Sequence, residues 1–482
     1  MLRRIGARAR LPSESDAGFV EYSTIREGSL AVTPSDANAA TVASNPPEGV
    51  ARQKSPNQIG TILGFAYAIV AIASSATAVV VPTISDQFDL SLSTAAWIIT
   101  APVIALAASA PVYGRVADHI GPKVPITIGL LVMSLGGLLS AIAPTAATLI
   151  AARAVIGFGT GAIPVLGPVI IAASLAEKDR PRALTRMSGL AALAASGLFI
   201  GAIVADLLGW RFVVAFPLAG LALITPIRRL AHDSDDPAGL AGIDIAGGLG
   251  IALGAVGINL VLQLPTNAWV GFVGLALVAV GLAMAVVGAK VSASPFIPLT
   301  VLRRSITWRV AAAGASIPAT FFSLLIAIPE ILTEQNFSRL EIGSLLLPAA
   351  AVGVLIGPVA ARLRQRFSEP LIATIGLAIA FIALLAAGIF STEPIALAVA
   401  FALIAASFSM GQGSLLGLLT SATPKEEHGA ALAVFMVVFF LGGGIGGTLL
   451  TVFGNAMSLG QALLIIAILP ALASISALSF NR

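Results

Sequence analysis

The sequence predicts an all-α integral membrane protein with about fourteen transmembrane helices, arranged as two six-helix bundles with two helices inserted between them. Only 10% of its 482 residues are charged and 57% are hydrophobic, whereas a soluble domain carries about 25% charged residues. Apolar runs of about 20 residues, long enough to cross about 30 Å of hydrocarbon, follow one another along the chain. Most basic residues lie in every second break between these runs, which is the pattern of membrane orientation.

Residues 1–56 differ from the rest, because they are polar, rich in Ser, Pro, Ala and Arg, and contain no long apolar run. This composition is typical of a disordered tail, which we expect to lie in the cytoplasm. Its arginines precede Ser, Glu and Asp rather than an apolar core, so we do not interpret it as a signal peptide. The predicted domains that follow are an N-terminal six-helix bundle at 57–230, two linker transmembrane helices at 231–300 and a C-terminal six-helix bundle at 301–482.

Fourteen apolar runs follow the tail, with short polar breaks between them. They lack the alternation of barrel strands, so in lipid they must form helices, which pair their own backbone groups. We predict helices at 59–83, 94–114, 124–143, 146–175, 185–208, 211–228, 243–264, 268–289, 310–332, 342–361, 370–390, 394–420, 429–453 and 458–478.

The loop charges test this count independently of hydropathy. If the tail is cytoplasmic, only Arg211 and Arg339 lie in the outer loops, leaving aside the tail, Arg153 and Arg482. The inner loops then hold sixteen basic residues: Arg115, Lys123, Lys178, Arg180, Arg182, Arg186, Arg228, Arg229, Lys290, Arg303, Arg304, Arg309, Arg362, Arg364, Arg366 and Lys425. Because cytoplasmic loops carry the excess of Lys and Arg, we expect both termini in the cytoplasm. The low charge and high alanine content favour a bacterial inner (plasma) membrane.

The composition also excludes several classes of function. The chain has no cysteine, which rules out disulfides, thiol catalysis and cysteine metal sites. Its three histidines, His119, His232 and His428, fall in predicted loops, so we expect no metal centre and no cofactor. The sequence shows neither a nucleotide-binding loop nor a nucleophile–base pair, which argues against an enzyme. A pI near 9.7 does not indicate nucleic acid binding, because the basic residues do not cluster on one polar surface.

A polar turn follows the second apolar run. It reads Gly114-Arg115-Val116-Ala117-Asp118-His119-Ile120-Gly121-Pro122-Lys123, with a glycine near each end and a carboxylate among cations. A weaker echo, Gly357–Leu363, stands at the corresponding place in the second half, as expected of a transporter built from two related bundles. The alternative interpretation is a basic turn that only sets membrane orientation.

This turn resembles the loop signature of the major facilitator superfamily, G-x-x-x-D-R/H-x-G-R/K-K/R. Further resemblances follow in the family's order, at Arg153–Gly159, Gly209–Phe212, Ile328–Pro348, Gly411–Gly413 and Gly429–Gly446. The inserted helices, with Ile243-Asp244 before them and Ser294–Leu299 after them, are similar to those of the fourteen-helix drug:proton antiporter branch. The resemblance implies a gating role for the gating motif, which comprises Gly114, Arg115, Asp118, Gly121 and Lys123, and two bundles that rock about a midplane site.

The sequence departs from that branch at two places. The branch carries D-x-T-x-V-N-V-A-L-P in its first helix, whereas Ala73 and Ala78 stand here at the aspartate and asparagine positions. In the fifth helix, the G-P-x-x-G-G pattern keeps two glycines, Gly197 and Gly201, and loses the proline. Small residues still permit close helix contact, but the usual residues for proton coupling are incomplete.

Two charged residues fall within apolar runs, Arg153 about two turns from the outer end of its helix and Glu330 near the outer end of the ninth run. In the hydrocarbon, insertion of such a group costs roughly 2.5–3.5 kcal/mol. Arg153 either extends to the membrane interface or, as the resemblance implies, faces the cavity to hold a negative charge or modulate a proton carrier. Glu330 is either a proton carrier or a solvated residue at the cavity mouth. We expect Asp206 and Asp244 to lie at the interface.

The polar residues Ser74, Thr77 and Gln412 are candidates for lining a substrate cavity, and Phe321 and Phe322 for stacking on a ligand. With so few fixed charges, such a cavity suits a bulky, apolar or cationic solute. The leading hypothesis is a monomeric multidrug-type exporter of lipophilic or cationic compounds, driven by the proton gradient. The alternatives are a transporter of a specific metabolite, lipid or amino acid with other or no coupling, and a transport-dead receptor or partner subunit.

Overall fold

The computed structural model describes residues 55–231, 244–292, 299–424 and 427–481. Nearly all of the predicted tail therefore lies outside the described residues. So do His232, Ile243 and Lys425, and most of the segment that follows the inserted helices, at 293–298. Within the described residues the secondary structure is helical throughout and includes no β-strand, which confirms the predicted all-α class.

Ten α-helices precede residue 231, and their ends follow local rules. Ser91 caps α3 by accepting a hydrogen bond from the Thr94 amide, and Thr145 caps α5 in the same way. The helix α3 ends at Gly121, whose φ of 81° favours glycine. The helices are α1 (Pro56–Ala78), α2 (Val81–Phe88), α3 (Leu92–Ile120), α4 (Lys123–Ala141), α5 (Ala146–Thr160), α6 (Ala162–Ser174), α7 (Arg180–Ala191), α8 (Ser196–Leu208), α9 (Trp210–Val214) and α10 (Leu221–Arg228).

The remaining helices comprise the inserted pair and the C-terminal set. The inserted pair is α11 (Ile245–Val261) and α12 (Ala268–Val291). The C-terminal set is α13 (Leu299–Leu302), α14 (Ser305–Glu334), α15 (Arg339–Leu346), α16 (Pro348–Arg364), α17 (Glu369–Ile389), α18 (Pro394–Ala422), α19 (His428–Gly454), α20 (Leu459–Ile466) and α21 (Ile468–Leu478).

Twelve helical segments of the described chain are long and apolar enough to cross a membrane. They coincide in order with twelve of the fourteen predicted runs, and some of them join two helices, such as α5 with α6. Two shorter apolar helices, Leu193–Leu208 and Ala246–Val261, occupy the predicted fifth and seventh positions. The count of fourteen crossings and the domain boundaries stay predictions.

One predicted boundary was wrong. We expected the second helix to end at Gly114 and the gating motif to form a loop, but α3 continues to Ile120. Asp118 and His119 therefore lie on the last helical turn, where His119 Nδ1 is 3.0 Å from the carbonyl oxygen of Arg115. His428 likewise begins α19 rather than lying in a loop. The helix extends because this segment has no proline or glycine between Gly114 and Gly121 to stop it.

The two ends of the helical bundle are distinguished by the gating motif. We call the end that holds this motif the motif end and the opposite one the far end. The N-terminal and C-terminal helices meet where α3 packs against α19 and where α8 packs against α15. The first inserted helix, α11, packs against both α3 and α19, so it lies beside their junction.

Glycines shape the contacts of α19. Gly446 lies against the backbone of Ala319 of α14, where a Cβ would come within 2.6 Å of the Ala319 Cα. Three residues earlier, on the neighbouring face, Gly443 faces Val103 of α3, whose Cγ1 would lie 3.0 Å from such a Cβ. Gly442 repeats the contact with α14, and Gly447 repeats the contact with α3. Small residues at these positions allow the close helix approach that packing in lipid depends on.

Candidate functional site

A narrow cleft separates the N-terminal helices α1, α2 and α3 from α14 near the far end. Glu330, half-buried on α14, is the one charged residue that lines it. The other lining residues are apolar: Ala78, Val81, Pro82, Leu92, Ala95, Ala96, Ile99, Leu325, Ile326 and Pro329. The cleft therefore places one carboxylate of α14 opposite the end of α1, in surroundings that could accept apolar groups.

The predicted polar lining residues do not reach this cleft. Thr77 is fully buried, and its hydroxyl donates a hydrogen bond to the Ala73 carbonyl, 2.8 Å away. Ser74 and Gln412 are half-buried and lie outside the lining set. Thr77 thus satisfies its own helix backbone, as threonine commonly does inside a helix.

Close contacts join the two sets of helices at the far end. Nε of Arg339, at the start of α15, lies 3.1 Å from Oδ1 of Asp206 on α8. Nη1 of Arg339 also donates a hydrogen bond to Thr83 on α2, at 2.6 Å. A turn further along α15, Gly343 packs on the α8 backbone, where a Cβ would lie 2.7 Å from the Phe199 Cα. The sequence predicted Arg339 in an outer loop and Asp206 at the interface but gave no sign of their pairing.

The gating motif contains an ion pair within its own helix. Arg115 Nη1 lies 3.9 Å from Asp118 Oδ2, and the Asp118 side chain is largely exposed. At the motif end of α16, Arg364 Nε lies 3.8 Å from Glu369 Oε2, and this pair joins the end of α16 to the start of α17 rather than two turns of one helix. The relation between the two halves and the gating role of the motif both stay predictions.

The two fifth-helix glycines hold α8 against α1. A Cβ at Gly197 would lie 2.5 Å from the carbonyl oxygen of Ile72, and one at Gly201 would lie 2.7 Å from the Cα of Ala76. The contact needs no proline, so the loss of the proline from the family pattern leaves this packing intact.

Arg153 lies buried among the helices. Its side chain is 1% exposed, and Nε donates a hydrogen bond to the Ile98 carbonyl of α3, 3.0 Å away. A side chain that extended to the membrane interface would be exposed at the protein surface, whereas this one is not; the role of Arg153 stays a prediction.

An aromatic cluster fills the space among α14, α18 and α19. Its ring centroids lie 5.3 to 5.8 Å from their neighbours, a spacing that is favourable for tilted and offset rings. Phe322 extends from this cluster to Gly443, at the junction of α14 with α19. The members are Phe321, Phe322, Phe401, Phe408, Phe435, Phe439 and Phe440.

One buried polar residue was missed at the level of sequence. Asn259 of α11 is fully buried, and its Nδ2 donates to the Ala255 carbonyl at 3.1 Å. Its Oδ1 has no hydrogen-bond partner among the described residues. This oxygen points at Gly444 of α19, where a Cβ would lie 2.7 Å away. The sequence did carry a signal of this buried polar group, because Asn259 stands alone in a run otherwise made of Gly, Ala, Val, Leu and Ile.

Comparison with known proteins shows the relationships of the chain. The family model described as Major Facilitator Superfamily matches residues 63–447 of this chain. A cephamycin export protein of Amycolatopsis lactamdurans is 29% identical over 309 residues, which are 61% of this chain and 62% of the relative. A multidrug resistance protein of Mycobacterium tuberculosis is 25% identical over 320 residues, which are 64% of this chain and 58% of the relative. The chain thus matches about three fifths of the length of these relatives.

A solved structure shows the same fold. It is the xylose transporter from E. coli in a partially occluded inward open conformation, with a TM-score of 0.62 and 14% sequence identity. The superposition covers 89% of this chain and 100% of that chain. The predicted fold class is therefore confirmed.

Proposed function

The chain belongs to the Major Facilitator Superfamily, whose members transport small molecules across membranes, and from this premise we propose that it exports lipophilic or cationic compounds. Transport would proceed by alternating access, with the N-terminal and C-terminal helices rocking about a central site. The protein would be a monomer in the plasma membrane with both termini in the cytoplasm, an orientation that the loop charges favour.

The cleft at Glu330 carries this proposal. Apolar side chains line it on every side, and one carboxylate supplies the single fixed charge. Apolar walls favour a lipophilic body, and a carboxylate favours a cationic group. The cleft has a free volume of about 10 Å³ in this structure, about the room of one water molecule, so a solute would enter it only after the helices move apart. A sugar or a phosphate would instead require several hydrogen-bonding or basic side chains, which the lining lacks.

Two further observations support export of lipophilic compounds. Phe321 and Phe322 of α14 belong to the aromatic cluster, about one turn before the cleft residue Leu325, and aromatic faces attract both apolar and cationic ligands. The relatives named above are an export protein and a multidrug resistance protein.

We propose Glu330 as the proton-coupling carboxylate. The first helix has Ala73, a buried alanine, where the antiporter branch has an aspartate. Glu330 faces the end of the same helix across the cleft. A carboxyl group that alternates between an apolar and a wet environment can take up and release one proton per cycle.

The test is efflux of a lipophilic cationic dye from a host that lacks its own pumps, with and without a protonophore. We expect export that stops with the protonophore and falls at least tenfold in Glu330→Gln. Glu334→Gln, one turn further along α14 and exposed, is the matched control and should export normally.

Three outcomes would contradict parts of the proposal. Export that persists in Glu330→Gln would remove Glu330 from the coupling mechanism. Export that is insensitive to the protonophore would remove proton coupling altogether. Dye retention at normal membrane levels of the protein would favour a specific-solute transporter, or a membrane protein that does not transport.

A further inference from the structure

We infer that Arg153 is a positioning residue: its guanidinium replaces the backbone hydrogen bond that Pro102 removes from α3, and so fixes the shape of α3 between α19 and the gating motif. The inference concerns α3 itself. It rests on the proposed function only where transport is measured.

The gap in α3 arises from proline chemistry. Pro102 lies inside the helix, and proline has no backbone N–H. The carbonyl of Ile98, four residues earlier, therefore lacks its usual helical donor. In a membrane helix an unpaired carbonyl is costly, and neighbouring helices commonly supply the missing donor.

Arg153 supplies that donor. Its Nε lies 3.0 Å from the Ile98 carbonyl oxygen, although 55 residues separate the two in sequence. The side chain is 1% exposed and forms no ion pair with any carboxylate in the described ranges. The backbone carbonyl of α3 is therefore a principal polar contact of this buried cation.

Gly157 makes the contact possible. It lies one turn after Arg153 on α5 and rests directly on Pro102, where a Cβ would come 2.5 Å from the Pro102 Cα. Any larger residue would push α5 away from α3 and withdraw Nε from the carbonyl. The R-x-x-x-G spacing thus places one donor and one close contact on the same turn of α3.

The location of this turn gives it a mechanical role. Thr100 and Val103, on either side of Pro102, face Gly447 and Gly443 of α19. Four turns further along the same helix stands the Arg115–Asp118 pair of the gating motif. A change in the bend of α3 at Pro102 would move the contact between α3 and α19 relative to the Arg115–Asp118 pair. Arg153 determines that bend.

The decisive experiment is a double-mutant cycle that restores the missing donor. Arg153→Met removes the guanidinium, and Pro102→Ala returns an N–H that can bond the Ile98 carbonyl within α3. Pro111→Ala is the matched control, because Pro111 lies in the same helix but its absent N–H leaves a different carbonyl, that of Ala107, without its helical donor.

We expect Arg153→Met to lower the melting temperature in detergent by several degrees. It should lower the maximal export rate at least fivefold with little change in apparent KM. Adding Pro102→Ala should return the export rate to within about twofold of wild type and the melting temperature to within a few degrees of it. Adding Pro111→Ala should restore neither. If Arg153→Met fails to reach the membrane, recovery of membrane level by Pro102→Ala alone gives the same information.

Two results would overturn the inference. A raised apparent KM without rescue by Pro102→Ala would make Arg153 a substrate-binding residue. A shift in the pH dependence of export, again without rescue, would make it part of the proton route. The double-mutant cycle can be measured by melting temperature alone, without a substrate. It therefore decides the role of Arg153 even if the proposed export function fails.

Discussion

Arg339 and Asp206 form an ion pair, with 3.1 Å between Nε and Oδ1, that joins α15 to α8 across 133 residues of sequence. Both side chains are partly exposed, at 35% and 41%. An exposed pair of this kind contributes only about 0.2–1 kcal/mol. It therefore closes the far end in a way that a transport cycle can reverse at little cost.

Cross-linking at this pair should stop transport. The chain has no cysteine, so Asp206→Cys with Arg339→Cys introduces the only two thiols. We expect a short, reducible bifunctional thiol reagent to link them and abolish export, and a reductant to restore it. Each single-cysteine variant, treated identically, should remain active. A linked protein that exports at the wild-type rate would show that the far end need not open here.

The contact between α8 and α1 should be sensitive to a single added methyl group. In Gly201→Ala the new Cβ would lie 2.7 Å from the Ala76 Cα, and such overpacking costs about 1–3 kcal/mol. Gly357→Ala is the control, because a Cβ there meets no atom within 4 Å. Thermal unfolding in detergent should show a lower melting temperature for the first variant only; equal melting temperatures would contradict the packing described.

Two asparagines of the inserted pair should respond in opposite directions. Asn259→Leu removes a buried oxygen that has no partner in the described structure, so the protein should become more stable by about 1 kcal/mol. Asn267→Ala removes the residue whose side chain accepts a hydrogen bond from the Val270 amide at the start of α12, which should cost about 0.5–2 kcal/mol. A loss of stability in both variants would indicate that Oδ1 of Asn259 has a partner.

The motif end should weaken in acid. Arg304 Nε donates a hydrogen bond to Glu427 Oε2 at 2.7 Å and holds the pKa of that carboxyl below its ordinary value of 4.5. The stabilisation from this pair is present above the ordinary pKa and is lost as pH falls through the lowered value. Comparing melting temperatures from pH 7 to pH 3.5, we expect the difference between wild type and Glu427→Gln to shrink once the pH falls below the ordinary pKa of 4.5. A constant difference would contradict the pairing.

The helices could be predicted from the sequence because bilayer thickness dictates their length. The runs at 124–143 and 370–390, for instance, became helices at Lys123–Ala141 and Glu369–Ile389. The end of α3 could not be predicted in this way, because hydropathy marks where lipid ends rather than where helical hydrogen bonding ends. Asp118 is polar and still helical for that reason.

The candidate site was predictable in part. The cost of a buried charge singled out Arg153 and Glu330, and the structure gives both a defined place. Their partners were not predictable, because the Ile98 carbonyl and the end of α1 approach them only through tertiary packing. Pro102 was a usable sign, since a proline within a membrane helix requires a donor from elsewhere.

The glycines of α19 have a consequence for motion. At Gly442, Gly443, Gly446 and Gly447 this helix presents bare backbone to α14 on one side and to α3 on the other. Helices that interlock through side chains must unlock ridges from grooves before they slide. At these four positions α19 has no ridge to unlock, so small shear displacements against either neighbour require no rotamer change on its part.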